Sequence, residues 1–268
     1  MTTMTLTERI RNDFTTITLA LIPVALVLNI VVGQLVAFLK LPVYLDSLGT
    51  MLVAILAGPF AGAITGVLSN LVWSSLPPPI GNPPVAFFAG TALGIGLLTG
   101  LFAQWGWFKR ALTRAQSIGL VLGVGTILGM LQLFLAIQAM SSLDFSPLAF
   151  VGVALAIILT AVATFLAWQG SFPPLVVVGG VVLGIVSAII SAPVAAAVFG
   201  GVTGSGTDLL VALFQSSGLQ VVQANLAQGL ISDPFDKFVS YIIVWAILRG
   251  MSHRLVGQFP RSKNLTES

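Results

Sequence analysis

The chain has 268 residues, 57% of them hydrophobic and only 7% charged, with a mean hydropathy of +1.05. That composition excludes a water-soluble domain and is that of an integral membrane protein. The absence of cysteine excludes disulfides and thiolate metal sites; the eleven Lys and Arg, at the ends of apolar runs, serve orientation in lipid, and no nucleic-acid partner is expected despite the pI near 9.7.

Apolar runs of the roughly 20 residues needed to cross a bilayer recur along the chain, without the alternation of a barrel. The reading is an all-α polytopic helix bundle, a single membrane domain over residues 1–268 in contact with membrane lipid. The first run, Phe14 to Leu39, has no small-residue cleavage site behind a short apolar region and predicts a retained helix near 14–39. The segment "KLPVYLD" (40–46) then leads into an apolar stretch, 46–75, broken at Gly58-Pro59. Further helices are expected near 84–107, 116–140, 147–168, 174–199 and 235–251, separated by "LPPPIGNPP", "FKRALTR", "SSLDFSP", "QGSFPP" and "GGVTGSGTD". Two stretches, 46–75 and 206–232, decide the topology.

Basic residues arbitrate, because cytoplasmic loops collect Lys and Arg. The clusters are Arg9 and Arg11; Lys109, Arg110 and Arg114; and Arg249, Arg254, Arg261 and Lys263. If 46–75 were one kinked span and 206–232 another, the middle cluster would fall outside. A hairpin turning at Gly58-Pro59, with 206–232 kept on one side, puts all three clusters and both termini in the cytoplasm. The hairpin reading gives short helices near 46–57 and 60–75, and it puts Asp46, Asp144, Asp208, Asp233 and Asp236 on the outer side. Pro59 lacks an amide hydrogen and disfavours helix at the residue before it. Gly58, Gly62 and Gly66 with Ala57, Ala61 and Ala63 offer the small surfaces such helices need for close packing.

At this point the chain resembles a family. The first helix, the loop "LPVYLD", a short helix, the turn "AGPFAGAITG" and a second short helix look like the amino-terminal half of the substrate-binding S components of energy-coupling factor transporters. "GIVSAIISAPVAAAVFGGVTGSGTDLL" and "ISDPFDKFVSYIIVWAILRGMSHRL" are similar to their fifth helix, outer loop and sixth helix. The match covers about 14–110 and 174–255; residues 116–168 depart from it as an inserted helix pair. The resemblance implies a six-helix core plus that pair, about eight membrane helices with two of them short. It also implies capture of a vitamin or related micronutrient from outside, and delivery with a transmembrane T component and two cytoplasmic ATPase subunits. Family members often carry Ala-x-x-x-Ala in the first helix for docking; the nearest equivalents here are Thr16 to Ala20 and Gly33 to Ala37.

No cofactor, no metal and no catalytic residue is expected. "GGVTGSGTD" has neither the Lys nor the preceding strand of a phosphate loop and reads as a flexible outer loop. His253, the one histidine, sits in a basic tail. Candidate solute contacts come from polar side chains that are costly in a membrane protein. Residues 206–232 supply Asp208, Gln215, Ser216, Gln220, Gln223, Asn225 and Gln228; the Gln and Asn side chains carry donors and acceptors suited to a neutral heterocycle or amide, and Gln220, Gln223 and Asn225 are taken first as contacts. The competing reading is an interfacial helix whose polar face meets water. Tyr44 and Asp46 in the first loop, Asn70 and Trp73 before the second, and Asp236, Lys237, Tyr241 and Trp245 on the last helix complete the outer half. Asp233 is expected to cap a helix begun by Pro234, with Lys237 paired to a nearby acid. The alternatives in function are an independent secondary transporter, for which "AGPFAGAITG" and "SAPVAAAVFGGVTG" are a faint internal echo, and a membrane sensory or scaffold module, against which the lack of an output domain after Arg254 is expected to count.

Overall fold

The computed structural model describes residues 5–109, 112–140, 149–203, 205, 207–262 and 265. The expectations for Arg110, Asp144 and Lys263 lie outside the described residues. All regular structure among those residues is helical. Among the described residues five helices are long and apolar enough to cross a membrane: Thr16–Phe38, Pro83–Gln104, Arg114–Gln138, Phe150–Gln169 and Leu175–Phe199. The protein is an all-α polytopic membrane protein. It divides into two compact units, residues 1–32, 46–109 and 243–268 in the first and 33–45 and 110–242 in the second.

The first unit opens with α1, Leu6–Asp13, started by a capping box in which the Thr5 side chain accepts from the Glu8 amide and the Glu8 carboxylate accepts from the Thr5 amide. The first part of α2, Thr16–Phe38, follows. The stretch read from sequence as a hairpin is two helices, α3, Leu48–Leu56, and α4, Pro59–Ser75. Gly58 between them has φ 128°, a conformation L side chains rarely adopt, and Pro59 occupies the first helical turn, where its missing N–H costs nothing. A helix of nine residues is only about 14 Å long, so α3 cannot span, and every residue of it is buried. It packs on α4 and on α5, Ala89–Gln104, which a 3₁₀ turn over Pro83–Phe88 introduces. The small residues work as expected: a Cβ on Gly62 would strike Ala54, one on Gly96 the backbone of Gly62 and Ala63, and one on Gly100 Pro59.

In the second unit α6, Arg114–Met140, and α7, Ala149–Gln169, pack against each other, and Gly125 receives the side chain of Thr160. They cover the two helices expected near 116–140 and 147–168. The next helix, α8, Leu175–Phe199, closes on Gly200 at φ 60°, the left-handed residue that commonly ends a helix. Then come α9, Asp208–Ser216, and α10, Val221–Gly250, whose residues up to Ile242 belong to this unit. A short α11, His253–Val256, lies in the first unit.

Two expectations need correction here. The last long helix begins at Val221 and not near 235, and Asp233 and Pro234 lie inside it, so Asp233 is not its cap. Pro234 removes one helical hydrogen bond and crowds the preceding turn. The helix continues through it because Pro234 packs on Gly184 of α8, where no Cβ stands in the way. Residues 208–232 accordingly hold α9, the turn at 217–220 and the first three turns of α10.

Candidate functional site

The second unit gathers a buried polar cluster around the segment that follows α2. Lys40 and Leu45 bracket this segment with φ of 50° and 51°, left-handed values that cost a non-glycine residue roughly 1 kcal/mol or more. Asp236 holds it down: its Oδ1 accepts from the backbone N–H of Tyr44 at 2.8 Å and of Leu45 at 2.9 Å. The other oxygen, Oδ2, accepts from Lys237 Nζ at 2.7 Å, with both side chains almost wholly buried. This ion pair is therefore also the clamp on a strained loop.

The Tyr44 hydroxyl extends the network. It shares a hydrogen bond with Thr207 Oγ1 at 2.9 Å and accepts from Gln228 Nε2 at 3.1 Å. Thr207 in turn shares one with Ser205 Oγ at 2.7 Å, and Asp208 Oδ1 accepts from Ser205 Oγ and from the amide and hydroxyl of Thr203. Burial, and after it the negative field of Asp233, push the Tyr44 phenol above its ordinary value, so it stays protonated. Thr203, Ser205 and Thr207 come from the stretch read as a flexible loop and are hydrogen-bonded here.

Of the residues singled out in the sequence, Tyr44, Asp208, Gln228, Asp236 and Lys237 come together in this cluster. Tyr241 is fully buried one turn beyond Lys237 on α10. Asn225 is buried, but its amide donates to the carbonyl of Val221 in its own helix. Gln220 and Gln223 do not join the cluster: both are exposed, and Gln223 Oε1 accepts from the Gln220 amide at 3.1 Å at the start of α10. Asp46, Asn70 and Trp73 belong to the first unit; Asp46 is half-buried, Asn70 is buried in α4, and the Trp73 indole donates to the carbonyl of Ile80 and closes the turn after that helix. Thr16 and Ala20 are exposed on α2. Thr207 enters the cluster without having been singled out. The spacing Ser232, Asp236, Ser240, four residues apart on one helical face, was a readable signal for a polar stripe.

The first unit has two polar centres of its own. Asn29 of α2 donates to Thr50 Oγ1 of α3 at 2.8 Å and to Ser69 Oγ of α4 at 2.9 Å, while its Oδ1 accepts from the Gly49 amide at 2.7 Å. At the other end Asp13 accepts from Arg261 at 2.8 Å and from the Phe60 amide at 3.1 Å, and the Arg261 amide donates to Leu56 O. This ties the basic helix α1, the Gly58-Pro59 turn and the carboxyl-terminal tail to one place. Burial raises the Asp13 carboxyl above its usual range against the opposing pull of Arg261.

Among the described residues no group of three or more His, Asp or Glu side chains is arranged to hold a metal ion. The cluster under Tyr44 offers hydrogen bonds and charge to a small polar molecule. Comparison with protein-family models, with curated proteins and with solved structures gives no match.

Proposed function

We propose that the chain is the solute-capturing S component of an energy-coupling factor importer, which takes a vitamin or related micronutrient from the outer side of the cell membrane. A transmembrane T component and two cytoplasmic ATPase subunits complete the importer, and ATP hydrolysis belongs to those partners. The observation that carries the reading is the clamp of Asp236 on Tyr44 and Leu45. The loop after the first long helix closes on buried polar groups of the last one, in a chain with few charges to spend on packing. The succession of a long helix, a polar loop and two short helices broken at Gly58-Pro59, within a six-helix core, is the order expected of that family, from which α6 and α7 depart as the inserted pair. In this count α3, α4 and α10 join the five apolar helices as the eight.

Orientation with both termini in the cytoplasm is supported by the contact of Asp13 with Arg261 beside the Gly58-Pro59 turn, since α1 carries Arg9 and Arg11 and the tail carries Arg254 and Arg261. Single cysteines at Ala61 and Thr203 test it with an impermeant thiol reagent; labelling from outside is expected at 203 and not at 61, and the reverse overturns the orientation. Docking to the T component falls to the exposed stripe of α2 that runs from Thr16 and Ala20 through Val24, Val27 and Val31. Small residues permit close helix approach, so Ala20→Trp is expected to abolish co-purification and transport while solute binding persists. The reading as a whole is tested by uptake into proteoliposomes: strict dependence on ATP and partner subunits supports it, and uptake by this chain alone would make it a secondary transporter.

A further inference from the structure

Small residues pack α6 against α7: Thr160 meets Gly125, and Ala156 meets Gly129. Gln132 of α6 breaks this pattern. It is 1% exposed, its neighbours about one turn away, Leu128, Leu135 and Ala136, are buried and apolar, and its Nε2 has no hydrogen-bond partner among the described residues. A buried carboxamide whose N–H groups bond nothing costs stability that an apolar side chain of similar size would not. Its position sets it apart. A Cβ on Gly152 of α7 would strike Gln132 Oε1 and would stand 3.1 Å from Pro42 Cγ, so the carboxamide, the glycine and the proline converge on one point. Pro42 lies two residues before Tyr44, in the segment that Asp236 of α10 clamps. Gln132 thus reaches from α6 the same short loop that Asp236 holds from α10. Two further groups are open near the clamp. The hydroxyls of Ser232 and Ser240, 1% and 0% exposed, have no hydrogen-bond partner among the described residues and stand one turn before and one turn after Asp236, on its face of the helix.

We infer that α6 completes the solute site, with Gln132 Nε2 donating to an acceptor on the captured molecule, a carbonyl oxygen or a ring nitrogen. This rests on the capture reading and gives the inserted pair a part in it. A carboxamide nitrogen brings two N–H donors and no acceptor, while a serine hydroxyl takes either role. The loop is met from α10 at Tyr44 and Leu45 and from α6 at Pro42, and the solute supplies the acceptor that the protein leaves out.

The test is quantitative mass spectrometry of small molecules released from the purified full-length protein, prepared in parallel as wild type, Gln132→Leu and Thr160→Val. Thr160→Val is the control: its hydroxyl is likewise buried and unpartnered among the described residues, but it lies eight residues from Gly152, about 12 Å farther along α7. Wild type and Thr160→Val are expected to retain the same solute in equal amount, and Gln132→Leu about 5- to 150-fold less, the loss of one buried hydrogen bond. If Gln132→Leu does not fold, Gln132→Met, unbranched and without a donor, takes its place with the same expectation. A solute held equally by wild type and the Gln132 variant, at whatever melting temperature, overturns the inference and leaves the capture reading standing. A loss in Thr160→Val as large as in Gln132→Leu assigns the effect to packing of the helix pair and overturns it too. Retention of no solute by the wild type overturns the capture reading and the inference together.

Discussion

The two units each bury polar side chains, and they do so to opposite effect. Around Asn29 every amide valence is used: two N–H groups go to Thr50 and Ser69, the oxygen takes the Gly49 amide, and no charge is involved. Around Asp236 the network is charged and incomplete, with a buried ion pair, a strained loop and serine hydroxyls that bond nothing. A closed, neutral network holds helices together where apolar surfaces alone would let them slide, since lipid is as apolar as their side chains. An open, charged one costs stability and is what a bound ligand would complete.

That contrast breaks most visibly at Asp236. Asp236→Ala removes the acceptor of two backbone amides and the ion-pair partner of buried Lys237, and should destabilise by about 3–5 kcal/mol and abolish solute retention together. A drop in the urea or thermal midpoint with retention intact would make the clamp structural alone. Asn29→Leu comes next. It leaves the Gly49 amide without its acceptor and two hydroxyls without their donor, for a loss of about 2–4 kcal/mol. Since its network is closed, the molecules that remain folded should bind solute with unchanged affinity in a titration. Weaker binding in Asn29→Leu would mean that the two centres do not divide labour as described. The smallest effect belongs to Gln220→Leu and Gln223→Leu. Both side chains are exposed, so stability should move by less than about 0.5 kcal/mol and solute affinity should stay as it was. A tenfold loss of affinity would return them to the site.

The helical hairpin was legible because its signal is local. Gly58-Pro59 breaks a helix by its own backbone chemistry, and the break falls within one residue of its expected place. Pro234 carried the same kind of signal and misled, because its outcome was settled by Gly184, fifty residues earlier, whose missing side chain makes room for the proline in an unbroken helix. Asp236 and Lys237 could be singled out as charges in an apolar chain, yet nothing near them in sequence names Tyr44 as the residue they hold. Gln220 and Gln223 were selected for their hydrogen-bonding capacity, and hydrogen-bonding capacity does not reveal which way a side chain faces at the start of α10. Asp13 and Arg261 stand almost at opposite ends of the chain, and the turn they clamp could be found without them.

The central claim is that the cluster under Tyr44 binds the solute. The measurement that bears on it most directly is solute retained per mole of purified protein, by quantitative mass spectrometry, in wild type and in Gln228→Leu. Gln228 donates to the Tyr44 hydroxyl and carries no charge, so the substitution disturbs the cluster without stranding an ion. The account predicts a solute near one per chain in wild type and a binding constant weakened by about 5- to 150-fold in the variant, the equivalent of one lost buried hydrogen bond at 1–3 kcal/mol. Equal retention by both proteins, at equal melting temperature, would contradict it.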